Sequence, residues 1–346
     1  MLRLKLSDNE VSSIKALITE IAAGYESVES VDFLNDACLY AHELPWRVRS
    51  FLNDFRLKEP HPGVCVISGY PINLSAIGAT PPHWKWRSDS RNSLHEQILF
   101  ILHGSLLGDP IGWVTQQDGH IVHDVLPIKG NENEQMGTGS EQLLWWHTED
   151  AFHPYRADYI GFFCLRNPDN IATTIGGVDV EKMEASHIRV LFEPRFTIRP
   201  DESHQERNES DLRKGRRQSG EQDTINEAYE KIKAMSANPE KISVFFGSPD
   251  APYLRIDPYF MDPLDDDPEA QQALDALIAR IDESLTDLVL QPGDFCFIDN
   301  YTVVHGRKPF KARYDGGDRW IKRICMARDL RKSRQARPSR TARLIM

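Results

Sequence analysis

The stretch Leu143–Ile160 reads LLWWHTEDAFHPYRADYI, and its centre is His147-Thr148-Glu149. On an extended strand, residues two apart point to the same face, so the imidazole and the carboxylate can converge on one point. Alone, a His-X-Glu pair is weak, because any strand end can carry it exposed to solvent. Its meaning depends on what the rest of the chain brings to the same place.

A metal centre needs a further ligand, and the chain offers His305 in FIDNYTVVHGRKPF, followed by Arg319 in DGGDRWIKR. Two imidazoles and one carboxylate on one face of an octahedron leave positions open, the arrangement that suits a non-haem iron(II) centre. A guanidinium close by suits a carboxylate-bearing cosubstrate held by its planar fork. The simpler reading of Arg319 is a surface ion pair with Asp315 or Asp318. A catalytic zinc site with the same ligands is the rival for the metal, since such sites hydrolyse peptides. Against it, the chain has no helical HExxH with its general base. His120, His123 and His153 are candidates by type, each read more simply as a loop or strand-end histidine.

Six segments strengthen the pattern jointly: TQQDG (115–119), WHTEDAFHPYRADY (146–159), RPDESH (199–204), LRIDPYF (254–260), FIDN…VHGR (297–307) and RYDGGDRWIKR (313–323). In these the sequence resembles the clavaminate-synthase-like iron(II)/2-oxoglutarate oxygenases. Within them it is most similar to the branch that hydroxylates free arginine and related guanidino amino acids in antibiotic biosynthesis. The resemblance implies Fe(II) on His147, Glu149 and His305, with 2-oxoglutarate and O2 as cosubstrates. It implies that Arg319 holds the far carboxylate of 2-oxoglutarate, helped by a hydroxyl from Thr173 or Thr174. Gln116 and Arg323 fall where the branch grips the α-amino and α-carboxylate groups, and Glu149 doubles as amine acceptor. Asp201, Ser203 and Asp257 are the remaining substrate candidates. One position departs from the branch: Tyr259 stands where a second Asp is expected. Tyrosine can hydrogen-bond or stack on a guanidinium, or it can mark a different cation. The expected reaction is hydroxylation of free L-arginine at carbon 3. Lysine, citrulline or enduracididine as substrate, attack at carbon 4, double hydroxylation and desaturation stay open. A non-catalytic jelly-roll binding module is the reading from another class.

Composition narrows the partners. The 346 residues carry a net charge of −11, which argues against nucleic acid or an anionic membrane as the main partner and suits a cationic small molecule. No apolar run reaches the length of a membrane span. The N-terminus MLRLKLSDNE meets acidic residues too soon for a signal peptide. Five scattered cysteines read as reduced thiols of a cytoplasmic protein. Oligomeric state is not readable.

The chain reads as one domain over 1–346, mainly β with flanking α-helices, and the resemblance makes it a double-stranded β-helix of the jelly-roll type. Ser7-Asp8-Asn9-Glu10 is a capping box opening the first helix of a helical N-terminal part, about residues 1–60. Further helices are expected at 31–44, 45–57 and 93–107, and Asp267-Pro268 opens another. Strands are expected at 63–69, 121–126, 143–147, 159–165, 196–199, 242–246, 253–256, 294–298, 302–305 and 320–327. Residues 201–223 are charged, poor in apolar side chains, and read as a lid over the substrate. The basic tail 331–346 reads as a solvated arm.

Overall fold

The computed structural model describes residues 1–86, 90–205 and 219–346. In chain order its strands begin with β1 (Leu2–Lys5), β2 (Val64–Ser68), β3 (Asp109–Trp113), β4 (His123–Val125), β5 (Leu144–His147), β6 (Tyr159–Arg166) and β7 (Thr173–Gly176). They continue with β8 (Phe245–Ser248), β9 (Ala251–Leu254), β10 (Thr286–Leu288), β11 (Phe295–Asp299), β12 (Val304–Arg307), β13 (Trp320–Ala327) and β14 (Leu344–Ile345). A large sheet has the order β1-β2-β11-β6-β13-β3-β14, with β4 also paired to β13. A small sheet has the order β10-β7-β12-β5, and β8-β9 form a separate hairpin.

The helices are α1 (Asp8–Gly24), α2 (Val31–Ala41), α3 (Trp46–Lys58), α4 (Leu74–Ile77), α5 (Leu94–Ser105), α6 (Ala185–Leu191), α7 (Ser219–Ala237) and α8 (Pro268–Ser284). The expected caps hold them. Ser7 N donates to Glu10 Oε2 at 2.8 Å while Ser7 Oγ accepts from Glu10 N. Asp267 Oδ1 accepts from Ala270 N at 3.1 Å, with Pro268 in the first turn.

Strand alternation explains how the layers meet. On β11, Phe295 and Phe297 join Ile14, Phe33, Leu52 and Phe100 beneath α1, α2, α3 and α5. Cys296 and Ile298 face the other way, against Ile160, Phe162, Ile175 and Leu288. Ile175 and Leu288 belong to the small sheet, so this second face is the seam between the sheets. On β5, Trp146 turns out toward Leu274, Leu277 and Ile281 of α8. Its neighbours Trp145 and His147 therefore face the seam, at its open end. The Gly293-Asp294 turn before β11 requires glycine: φ is +94°, and a Cβ there would stand 1.9 Å from Tyr70 O.

Several expectations need correction. The N-terminal part is not purely helical, because β1 pairs in parallel with β2 and enters the large sheet. Residues 196–199 make only isolated bridges, Phe196 to Ile242 and Ile198 to Met261. Two helices, α6 and α7, stand in the half read as β with one long helix. The tail is no solvated arm. Leu344 and Ile345 pair with Gly112 and Trp113, Arg343 pairs with Asp109, and Arg337 is buried. The Arg337 guanidinium donates to the carbonyls of Leu330, Arg340 and Ala342. Its positive charge is spent on the chain's own backbone, which composition does not reveal. Of the expected lid, Asp201–Gln205 and the segment from Ser219 are described; 206–218 lies outside the described residues.

Candidate metal centre and substrate cavity

Strand β5 ends at His147, and β12 brings His305 directly opposite it in antiparallel register. Glu149 follows two residues after His147. Their ligand atoms, one from each side chain, all lie within 4.8 Å of one another. Glu149 Oε2 stands 3.1 Å from His305 Nε2 and 3.9 Å from His147 Nε2. With metal bonds of roughly 2.1 Å, ligands at a right angle stand about 3 Å apart, so small side-chain adjustments close the set on one ion. His147 Nδ1 lies 2.8 Å from Trp145 O. Donation there leaves the Nε2 lone pair free for a metal. Burial pushes His305 below the ordinary imidazole range, which favours its neutral form. Burial acts the same way on His147, but Asp257 and Glu149 outweigh it and raise its value.

Glu149 is fixed through its backbone. Asn300 Oδ1 accepts from Glu149 N at 2.7 Å, and Asn300 Nδ2 donates to Glu149 O at 3.1 Å and Ala157 O at 2.9 Å. Its two carboxylate oxygens do different work. Oε2 faces the histidines, while Oε1 pairs with Arg323. Burial favours the neutral acid, yet Arg323 and the histidines hold Glu149 well below the usual carboxylate range.

A cavity opens on this cluster, lined by all three candidate ligands. Two residues of opposite charge are buried on its wall, Arg319 and Asp257. Arg319, 6% exposed, has one weak hydrogen bond, 3.4 Å from Nη2 to Thr173 Oγ1, and its Nε has none. Asp318 does not neutralise it, since that carboxylate accepts from Arg313 N and Tyr314 N. Asp315 lies against Arg313. Burial alone pushes Arg319 down to about 10. Buried Arg307 lines the same wall and is pushed down to about 9 by burial and then by Arg319. Two guanidiniums in this setting call for an anion. On the other side, Asp257 is 8% exposed and raised to about 6, chiefly by burial and then by Asp201, against the pull of His147. The backbone N–H groups of Phe260 and Tyr259 bond that carboxylate, and a cation would complete its pairing.

Thr173 faces the cavity on β7, and Thr174, the next residue, does not line it; alternation settles which of the two meets Arg319. Asp201, Ser203, Asp257, Tyr259 and Arg323 all line the cavity. Gln116 lies just behind, on an adjoining pocket that shares Ser203 and Arg323. Gln116 Nε2 donates to Ser203 Oγ at 2.6 Å, and its Oε1 accepts from Arg323 Nη2 at 3.1 Å. Of the other histidines, His123 reaches Arg323 (2.7 Å), His120 pairs with Glu29, and His153 packs on Trp113.

Sequence reasoning assigned no role to Asn300, Asp150, His204 or Trp145, although each lies in a motif quoted above. Asp150, Asp201 and His204 form a second cluster of metal-ligand type. Its atoms already bond one another and their neighbours: His204 Nε2 to Asp150 Oδ1 at 3.0 Å, Trp113 Nε1 to Asp150 Oδ2 at 2.6 Å, and His204 Nδ1 with Thr115 Oγ1 at 2.7 Å. It reads as a hydrogen-bond network that anchors the segment carrying Asp201 and Ser203. The central residue of the metal motif, Thr148, is buried. Its N and Oγ1 donate to Ile256 O at 2.9 and 3.1 Å, and its Oγ1 accepts from Ile256 N at 3.1 Å. The strand bearing the ligands is thus tied to the residue before Asp257.

Comparison with known proteins agrees with this geometry. The sequence model of the taurine catabolism dioxygenase TauD, TfdA family matches residues 191–325, a span with His305, Arg319 and Arg323 but without His147 and Glu149. The chain is 46% identical over 345 residues to an enduracididine beta-hydroxylase of Streptomyces hygroscopicus, covering 100% of both. It is 41% identical over 353 residues to an L-ornithine/L-arginine 3-hydroxylase of Catenulispora acidiphila, again covering 100% of both. The crystal structure of the non-haem iron oxygenase OrfP with Fe, succinate and (3R,4R)-dihydroxy-L-Arg superposes with a TM-score of 0.93, at 43% identity and full coverage of both chains. The overall fold is therefore that of the TauD-like oxygenases, the double-stranded β-helix. A likeness that spans the whole chain at this identity places it by descent as well as by shape: it belongs to the iron(II)/2-oxoglutarate oxygenases, in the branch of the enduracididine and arginine β-hydroxylases.

Proposed function

We propose that the chain hydroxylates a free guanidino amino acid, L-arginine first, at carbon 3, with Fe(II), 2-oxoglutarate and O2. The observation that carries this reading is the pairing of one three-ligand cluster with two buried wall charges of opposite sign, Arg319 and Asp257. His147, Glu149 and His305 fit iron by donor type, since imidazole and carboxylate with no thiolate suit it. Bound there, the metal supplies oxygen activation at the expense of 2-oxoglutarate.

The chain's own residues bind and orient. Arg319 takes the far carboxylate of 2-oxoglutarate by its planar fork, with Thr173 Oγ1 alongside. Arg323 takes the substrate α-carboxylate, and Gln116 with Glu149 Oε1 the α-amine. Asp257 takes the cationic end, with Asp201, Ser203 and Tyr259 bordering the side chain. Gripping both ends fixes which carbon faces the metal. A hydrolytic zinc reading leaves Arg319 without a task, and a non-catalytic module leaves its buried Nε as uncompensated cost. Lysine, citrulline and enduracididine remain the competing substrates.

We further read residues 1–346 as one domain with jelly-roll closure, because β1 and β14, from opposite ends of the chain, are strands of the same large sheet. Among the described residues no helix is long and apolar enough to cross a membrane. The cysteines are all unpaired, which supports a reducing, cytoplasmic setting. The test is incubation with Fe(II), 2-oxoglutarate, O2 and a panel of free amino acids, read by mass. Arginine should gain one oxygen atom with matching succinate. Hydroxylation of citrulline as fast as arginine would remove the cation from the argument.

A further inference from the structure

We propose that Trp145 and Tyr259 form an aromatic wall that selects a planar, delocalised cation over a compact ammonium at the Asp257 end of the cavity. The proposal rests on the function above and narrows its substrate class.

Among the described residues, carboxylates at this end are few. Asp257 faces the cavity, while Asp201 Oδ1 already accepts from Ser203 N at 2.8 Å. An ammonium is a compact, strongly hydrated charge, and it needs several acceptors to replace its water. A guanidinium is different. Its edge donates in one plane to a single carboxylate, and its weakly hydrated faces stack on aromatic rings.

The rings such faces would need are present and uncovered. Trp145 and Tyr259 both line the cavity, yet they remain 42% and 48% exposed. They meet edge to face, with centroids 6.4 Å apart at 84°. Both are held from behind. Gln135 completes the free edge of β5: its Oε1 accepts from Trp145 N at 3.1 Å, and its Nε2 donates to Leu143 O at 2.9 Å. Tyr259 sits inside a turn closed by Phe260 N donating to Asp257 O at 3.1 Å, and Phe260 O in turn accepts from Arg199 N at 2.8 Å. The turn thus fixes the ring relative to the carboxylate. A cyclic guanidine fits the same wall, because its ring carbons extend the stacking face.

The experiment is calorimetric titration of the Fe(II)- and 2-oxoglutarate-loaded protein, without oxygen, with L-arginine, L-ornithine and L-lysine, alongside kcat/KM for each in air. Wild type should prefer arginine to both ammonium substrates. Trp145→Ala and Tyr259→Ala should each cut that preference about three- to tenfold, the range of one cation–π contact. Tyr259→Phe should keep it. The wall is refuted if wild type binds ornithine or lysine as tightly as arginine, or if the alanine variants weaken all three amino acids by one common factor. If wild type binds none of the three, the proposed function falls with it. If arginine is bound and hydroxylated but the ratio does not move, the wall alone falls. Should Trp145→Ala not fold, the exposed Tyr259 series decides.

Discussion

The two sheets share one construction rule and use it for opposite purposes. In the large sheet, β6 and β11 are buried on both faces. Phe163 lies directly opposite Phe295 and stacks on it, with centroids 4.0 Å apart and rings 7° from parallel. Even His103 of α5, with no partner on either ring nitrogen, serves there as an apolar ring 4.7 Å from Phe295, and burial pushes it down to about 3. The small sheet is packed on its outer face, and on its inner face only where Ile175 and Leu288 meet the large sheet. Its inner face presents His147, His305 and Thr173 to a cavity where His305 Nδ1, Arg307 Nε and Arg319 Nε have no partner. A buried polar group left unpaired costs about 1–3 kcal/mol. The large sheet carries the stability that lets the small one hold unsatisfied groups in place for chemistry.

This contrast can be broken from either side. The largest effect should come from His147→Ala or His305→Ala. Turnover should fall by roughly three orders of magnitude, about 4 kcal/mol of transition-state stabilisation. The metal-free protein should melt no lower than wild type, because crowded polar groups are removed. Succinate assays and thermal melts check both halves. Phe163→Ala should do the reverse. It should cost about 3–5 kcal/mol of stability by leaving a cavity in the stacked core, with kcat of the folded fraction close to wild type. A chemical denaturation series reads the first and active-site titration the second.

Next in size is Arg319→Lys, which keeps the charge and loses the fork. The apparent KM for 2-oxoglutarate should rise about ten- to a hundredfold, on the order of 1.4–2.8 kcal/mol, with a smaller change for arginine. The opposite ordering would move Arg319 out of the cosubstrate site. Smallest is Thr148→Val, which keeps the shape and removes the Oγ1 bonds to Ile256. A loss of about 1 kcal/mol should show as uncoupling, with less hydroxylated product per succinate, and Thr148→Ser should restore the ratio. An unchanged ratio would mean that the tie between the ligand strand and Asp257 is structural alone.

What could be read from the sequence divides along the same line. Where a signal is local, the residues declare it. Asp267-Pro268 marks the start of α8, and the strand expected at 320–327 is β13 to the residue. His147, Glu149, His305, Arg319 and Asp257 were legible because each stands in a motif of distinctive side chains, and the structure brings all five to one cavity. What escaped depends on partners far along the chain. β3 contains Pro110 and Gly112, poor strand formers, and becomes a strand by pairing with β13 and β14. Gly112 admits that pairing, since a Cβ there would meet His120 O at 2.8 Å and Leu344 Cδ2 at 3.0 Å. Arg337 of the tail reads as solvated because its acceptors are backbone carbonyls, which no composition shows. Trp145 was quoted in the first motif and given no task. Its exposure and its neighbour Tyr259 become visible only when the turn after Ile256 folds back over β5.

The central claim is that the small sheet's inner face supports oxygen insertion into a free guanidino amino acid. A single-turnover reaction under ¹⁸O2, with Fe(II), 2-oxoglutarate and L-arginine, tests it most directly. The account predicts one labelled oxygen in the hydroxylated arginine and one in succinate, in equal amounts, and loss of both with His147→Ala. Product formed without oxygen, label arriving from water alone, or equal turnover with zinc in place of iron would contradict it.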